Sequence, residues 1–365
     1  MDGYLICFGI TYILAYMAEK LLKDNKKIGK LFLFLSLFVV CFVAGVRNTN
    51  VGKDVGVYVK GLIKWFNEEN IIVNPIVSEP LFNLLVYITN KIGNINFVLF
   101  AIEVCIAGPI YYWAYKNKDR FSISFIILVF LMTMFARSLN LMRQCIAISF
   151  LLLSVYFYEK NDKKLCIIFY IIAISFHYTA VIGFLCFVVQ NILKNEKSTT
   201  KEKIIQFISI LIVIILGLLF FENIVKLLPV KYSGYLNSSH ANLNNVISFS
   251  SLLKKFFWII IGLIVYFSTT KRDNVLLLSV IYLLIDLLLF FSSIKIKPAG
   301  RLGYYFLYIG YLNFFPIFIK KFKQKKVITF LVTIVLFVLW YHMTVVNFKA
   351  DATYPYTSTF VKFLN

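Results

Sequence analysis

Apolar runs recur along the whole chain at close to the length a helix needs to cross a bilayer, and no other feature restricts the fold as much. They fall at 4–18, 31–46, 95–115, 121–136, 144–158, 165–176, 178–192, 203–221, 254–270, 275–293, 303–319 and 327–346, separated by short polar stretches. About 20 apolar residues span roughly 30 Å of hydrocarbon, and about 17 suffice where the bilayer thins. Residues are 60% hydrophobic and only 15% charged, so no stretch is polar enough for a soluble domain of useful size. The expected fold class is an all-α polytopic integral membrane protein of about 12 transmembrane segments. It forms a single transmembrane domain over 1–365, whose outer loops 47–94 and 222–253 carry interfacial helices. The N-terminus does not read as a cleavable signal: Asp2 opens it, and its positive charges follow the apolar run.

The formal net charge of +21 invites a nucleic-acid reading, but the placement of the charge excludes it. Alternate loops at 19–30, 116–120, 159–164, 193–203, 270–274 and 320–326 hold 22 of the 38 Lys and Arg residues. By the positive-inside rule these are cytoplasmic, which places both termini outside a cytoplasmic (inner) membrane. Run 165–192 is read as two short passes meeting at His177, because one long helix would send Lys194, Lys197, Lys201 and Lys203 outside. Arginine follows a different pattern. Arg47, Arg137, Arg143 and Arg301 fall on the expected outer side, against Arg120 and Arg272 inside. Arginine grips phosphate and carboxylate bidentately, so this asymmetry is a functional signal.

Two outer stretches are amphipathic and too short to span. Val55, Tyr58, Val59, Leu62, Trp65 and Phe66 recur at helical spacing over 55–66, with Lys60 and Lys64 on another face. Over 80–90 the apolar stripe is Leu81, Leu84, Leu85 and Ile88. Both suit helices at the outer interface. The six cysteines form no CxxC pair and read as small buried residues. Three dispersed histidines make no metal site. No metal and no cofactor are expected.

The candidate chemistry lies in the outer polar segments, and each residue has a plainer reading beside the functional one. Arg47 either holds an anion or snorkels to the interface. Asp54 is a base, a sugar ligand, or simply a helix N-cap. Glu79, before Pro80, is a base or ordinary helix-start chemistry. Asn140, Arg143 and Gln144 share one helical face, with Arg143 about one turn inside the helix, where a cation needs a polar cavity or partner. His177 accepts a proton near neutral pH or serves as a structural hydrogen-bonder. Arg301 enters another outer helix end, with Tyr305 and Tyr308 following, as sugar-stacking residues or an aromatic belt. Glu103 and Asp286 lie within spans and should be paired, protonated or facing water, and Lys254 and Lys255 should snorkel outward.

Taken in order, these segments resemble the EpsG family, a Wzy-like group of bacterial membrane proteins implicated in polymerising exported polysaccharides. The resemblance runs through Arg47, Gly52-Lys53-Asp54 and Tyr58, then Glu79-Pro80-Leu81-Phe82, then Arg143-Gln144 with Ala147. Phe176-His177-Tyr178-Thr179-Ala180, Arg301 with Tyr305, and Tyr354-Pro355-Tyr356 complete it. Lys53 stands where a small residue such as Thr is commoner.

The resemblance implies a GT-C-like, metal-independent membrane glycosyltransferase joining polyprenyl-pyrophosphate-linked oligosaccharide repeat units on the outer face. Arg47, Arg143 and Arg301 would grip the pyrophosphate, and His177 or Glu79 would be the base. Asp54 and the tyrosines, Tyr58, Tyr178 and Tyr305 among them, would position sugars, with Asn140 and Gln144 beside Arg143. Membrane lipid is an expected partner, with a chain-length regulator or flippase as a further one. Two other classes remain open: a transporter or flippase, which would depend on Glu103 and Asp286, and a membrane O-acyltransferase built on His177.

Overall fold

The computed structural model describes residues 1–69, 79–195, 199–220, 223, 249–269, 273–294, 297–347 and 351–364. The loop expected at 222–253 therefore lies almost wholly outside the described residues, as do Arg272 and Lys197. Among the described residues there is helix and no strand, and every one of the twelve apolar runs carries helix. Among the described residues seven helices are long and apolar enough to cross a membrane, with shorter apolar helices between them. Their outward faces are apolar: Ile13, Phe34, Ile171 and Phe330 are all exposed. Hydrocarbon tolerates no unpaired backbone, so helix is the form such runs must take. The chain is a polytopic helical membrane protein.

The chain divides into two compact units. One comprises Met1–Ala180 and Gln324–Asn365, the other Val181–Lys323.

In the first unit, α1 (Asp2–Asp24) and α2 (Lys26–Val46) form a hairpin. Asn25 makes the turn: its amide donates to Leu21 O at 2.7 Å, and its side chain accepts from Lys27 N and Ile28 N. Beyond α2 come a wide helical turn at Val55–Lys60, α3 (Gly61–Glu69) and α4 (Pro80–Ile92). After them, α5 (Ile95–Lys116) packs on α2, and α6 (Ile123–Phe130) packs on α1. A wide turn at Leu131–Phe135 and the single turn α7 (Ala136–Ser138) lead into α8 (Met142–Glu159), which pairs with α9 (Lys163–Phe176). Asn161, at φ 60, makes the reversal between them, and Asp162 caps α9 by accepting from Leu165 N. At 1.5 Å per residue, α8 and α9 run about 27 and 21 Å, so the hairpin returns His177 to the end of α8 that carries Arg143. α4 packs on both α5 and α9, which brings Glu79 to the same end.

The helix over 55–66 buries Val55, Val59, Leu62 and Phe66 and exposes Lys60 and Lys64, as its spacing predicts. α4 turns part of its apolar stripe outward. Leu84 and Ile88 of the expected apolar stripe are exposed, while Phe82, Asn83, Val86 and Thr89 are buried. In a lipid environment the outward face gains nothing by being polar, so hydrophobicity does not mark the buried side. The first unit closes with α15 (Lys325–Tyr341), a wide turn at His342–Val346, and a strap over 351–364. The rings of Tyr4, Phe8, Phe135, Trp340 and Tyr356 pack edge to face where helix α1, helix α15 and the strap meet. In the second unit, α13 (Asn274–Phe290) packs against α10 (Phe184–Lys194), α11 (Thr200–Leu219), α12 (Phe249–Ser268) and α14 (Tyr304–Lys320).

Gly52 sits at φ +93, and a Cβ there would press on the carbonyl of Leu139. Substitution is therefore strained both by conformation and by space. Gly52→Ala should destabilise the protein by about 1–3 kcal/mol, read as a lower thermal midpoint of the detergent-solubilised protein.

Candidate functional site

Glu79 is the centre of the polar end of the first unit. It precedes α4, with Pro80 as the first helical residue, and its side chain makes no capping bond. The carboxylate is fully buried and is shared between two partners: Arg143 Nη1 donates to Oε2 at 2.7 Å, and Oε1 lies 3.1 Å from His177 Nδ1. His177 is the residue at which α9 ends; a tighter helical turn, Tyr178–Gly183, follows it. Arg143 lies in the first turn of α8, nearer the helix end than expected, and the Tyr58 ring faces its guanidinium at 3.5 Å. This is cation–π contact in a desolvated setting.

The arrangement orders its own protons. An ionised Glu79 held by Arg143 offers only acceptors, so the neutral imidazole must carry its hydrogen on Nδ1 and leave Nε2 as the basic nitrogen. A carboxylate behind Nδ1 also stabilises the imidazolium formed when Nε2 takes a proton. His177 keeps 16% of its side chain exposed against 0% for Glu79. The ring is thus the member that can reach a substrate, and Glu79 is the member that holds it.

Other predicted residues fall into place around this core. Asp54 begins the turn at Val55 without a side-chain capping bond; its amide donates to Asn140 Oδ1 at 3.0 Å, and its charge acts on Arg143. Asn140 was expected on the helical face of Arg143 but stands in the turn before α8. Its side chain leaves the helical register to bridge Asp54 N and Asp351 Oδ1. Gln144 is buried one residue beyond Arg143, and Tyr178 is exposed one residue beyond His177.

Arg47 is 1% exposed and turned inward. Its Nη1 donates to Ala44 O at 2.7 Å and its Nη2 to Leu139 O at 3.1 Å. Burial pulls its pKa down to about 10, with Glu103 opposing the shift, so it remains a cation at neutral pH. It ties the end of α2 to the turn that carries Asn140.

Arg301 and Tyr305 belong to the second unit. Arg301 is half-buried in a tight turn, Lys297–Gly303, and Tyr305 is buried just inside α14. Gly303 of that turn lies flush against Asp286. The intraspan acids are both engaged. Ser138 Oγ donates to Glu103 Oε2 at 3.0 Å, and Lys255 pairs with Asp286. Lys255 was expected to snorkel outward; a buried carboxylate one helix away holds it inside instead. Among the described residues no three metal-ligating side chains gather. An open cleft of about 470 Å3 is lined by Lys60, Lys64, Asn67, Glu68 and Asn90, and none of Glu79, Arg143 and His177 borders it.

Four of the residues that carry the family resemblance, Tyr58, Glu79, Arg143 and His177, meet here, and the EpsG family model matches residues 30–358. The chain belongs to the EpsG family. Membership implies a Wzy-like polysaccharide polymerase, glycosyltransferase-like, acting on lipid-linked oligosaccharide in a membrane. No curated protein and no solved structure matches the chain. Within this EpsG-family chain, Arg137 and Asp351 are site neighbours to which sequence alone assigned no role. They pair at 3.4 Å, and Asp351 stands three residues before the Tyr354-Pro355-Tyr356 signature.

Arg143→Met should strip the buried Glu79 carboxylate of its guanidinium partner and cost about 3–5 kcal/mol. Adding Glu79→Gln should recover most of that thermal stability without restoring activity.

Proposed function

We propose that the chain is a polysaccharide polymerase whose general base is His177, oriented by Glu79 and backed by Arg143. The observation that carries this reading is the buried Glu79 carboxylate shared between Arg143 and His177 in a chain of the EpsG family. In the reaction, an acceptor sugar hydroxyl attacks the anomeric carbon of a repeat unit held on polyprenyl pyrophosphate. The new glycosidic bond forms as the bond from that carbon to the pyrophosphate oxygen breaks. The hydroxyl proton passes to His177 Nε2, Glu79 stabilises the resulting imidazolium, and the lipid pyrophosphate leaves as an anion.

Arg143 has two tasks: it keeps Glu79 ionised, and its positive charge favours the departing pyrophosphate. Tyr58 and Tyr178 take sugar faces, and Asp54, Asn140 and Gln144 order the polar edge. Arg47 supports the frame, because both Nη groups bind backbone carbonyls.

The reaction belongs on the outer face of the cytoplasmic membrane, in a chain of twelve passes with both termini outside. The Lys-rich alternate loops support that orientation. So does the meeting of Glu79, Arg143 and His177, three residues assigned to the outer side from loop charge alone.

The test is polymer output in cells and membranes at matched protein abundance. His177→Ala should lower it by about 100-fold or more, the scale of a lost general base. Glu79→Gln should lower it strongly too, since the neutral amide can present its N–H to Nδ1 and reverse the tautomer. Wild-type chain length in both variants would sink the assignment.

A further inference from the structure

The strap at 351–358 has no part in the reaction as written, yet it is bonded along the loop that carries Asp54. Asn48 N donates to Thr357 O at 2.8 Å, Gly52 N to Ala352 O at 2.8 Å, and Lys53 N to Asp351 O at 3.4 Å. Tyr356 OH donates to Val43 O and Ser358 Oγ to Val46 O at 2.7 and 2.6 Å. Two left-handed residues meet in this seam: Gly52 at φ +93 and Ala352 at φ 52. A non-glycine residue held there marks a place where surrounding contacts over-determine the backbone, and such places concentrate at working sites.

At the head of the strap, the two oxygens of Asp351 are divided. Oδ1 accepts from Asn140 Nδ2 at 3.0 Å, and Oδ2 faces Arg137 Nε at 3.4 Å. The same Asn140 receives the Asp54 amide on its Oδ1. A path of direct bonds therefore runs from the strap through Asn140 to the Asp54 loop, three residues before Arg143. Asp351 also fixes the amide orientation of Asn140: an ionised carboxylate accepts only, so Nδ2 must face it and Oδ1 must face Asp54.

We propose that Asp351 is a positioning residue for the transfer reaction, setting the Asp54 and Asn140 edge against Arg143 from the C-terminal strap. The inference rests on the polymerase reading. The charge on Asp351 selects the rotamer of Asn140, and Asn140 holds the Asp54 loop where its carboxylate acts on Arg143.

The full chain in lipid nanodiscs tests this with two measurements: polymer synthesis from the host's own lipid-linked repeat unit, and hydrogen exchange of the Gly52–Asp54 amides. Asp351→Ala should lower turnover at saturating repeat unit about tenfold to a hundredfold, the scale of small misplacement at a reacting centre. Exchange at Gly52–Asp54 should rise while membrane abundance and thermal midpoint stay at wild-type values. Asp351→Asn retains an acceptor for Asn140 but loses the charge facing Arg137, and should fall between. Wild-type turnover in Asp351→Ala, with Glu79→Gln still inactive, overturns the inference and leaves the polymerase reading standing. Loss of turnover that only follows a lowered midpoint or abundance also overturns it. If Glu79→Gln and His177→Ala both polymerise normally, the general-base assignment fails; unchanged exchange at Gly52–Asp54 in Asp351→Ala refutes the positioning.

Discussion

A charge carried into a medium without water must be answered by another charge or a hydrogen bond, and the polar interior of this chain follows from that constraint. Glu79 is answered by Arg143 and His177, Asp286 by Lys255, Glu103 by Ser138, and Arg47 by two backbone carbonyls. Each answer joins segments distant in sequence. The ion pair at Glu79 alone brings together the start of α4, the start of α8 and, through the imidazole, the end of α9. The same bonds that make these charges tolerable fix the relative positions of the helices, so site and scaffold are one set of contacts.

This explains why two arginines expected on the same side take different positions. Arg47 joins a carbonyl of its own helix, Ala44, to that of Leu139 and is buried between them. Arg143 lies against a carboxylate and an aromatic face, beside an imidazole that remains partly exposed. Guanidinium chemistry is identical in the two, and only the surrounding acceptors separate a brace from a reactive neighbour. Glu79 illustrates the complementary point. It stands where an acid before an N-terminal proline commonly serves the helix, but its side chain turns away from the amides towards two side chains of higher charge.

The helices were legible because hydrocarbon leaves backbone no alternative, and apolar length is read directly from sequence. The break at His177 was legible too, through the charge of the loop that follows. Glu79, Arg143 and His177 could each be named as polar residues at helix ends, but their pairing could not, since 64 and 98 positions separate Glu79 from its partners. Which side of α4 is buried could not be read from the sequence, because Leu84 and Ile88 are as comfortable against lipid as Val86 is against protein. Lys255 was assigned to the interface because its partner, Asp286, lies 31 positions away on another helix. Asp351 was overlooked because nothing local distinguishes it; its importance comes from Asn140, 211 positions earlier.

The seam between the strap and the Arg47 to Asp54 loop bears on how the protein is made. Ser358 bonds to the carbonyl of Val46 across 312 positions of chain. At about 5–20 residues per second, synthesis of that interval takes roughly 15 seconds to a minute. Throughout that time the loop that holds Asp54 lacks the carbonyls of Asp351, Ala352 and Thr357. The seam therefore closes only once residues 351–358 have been made, and a shorter nascent chain lacks the bonds that hold the Asp54 loop.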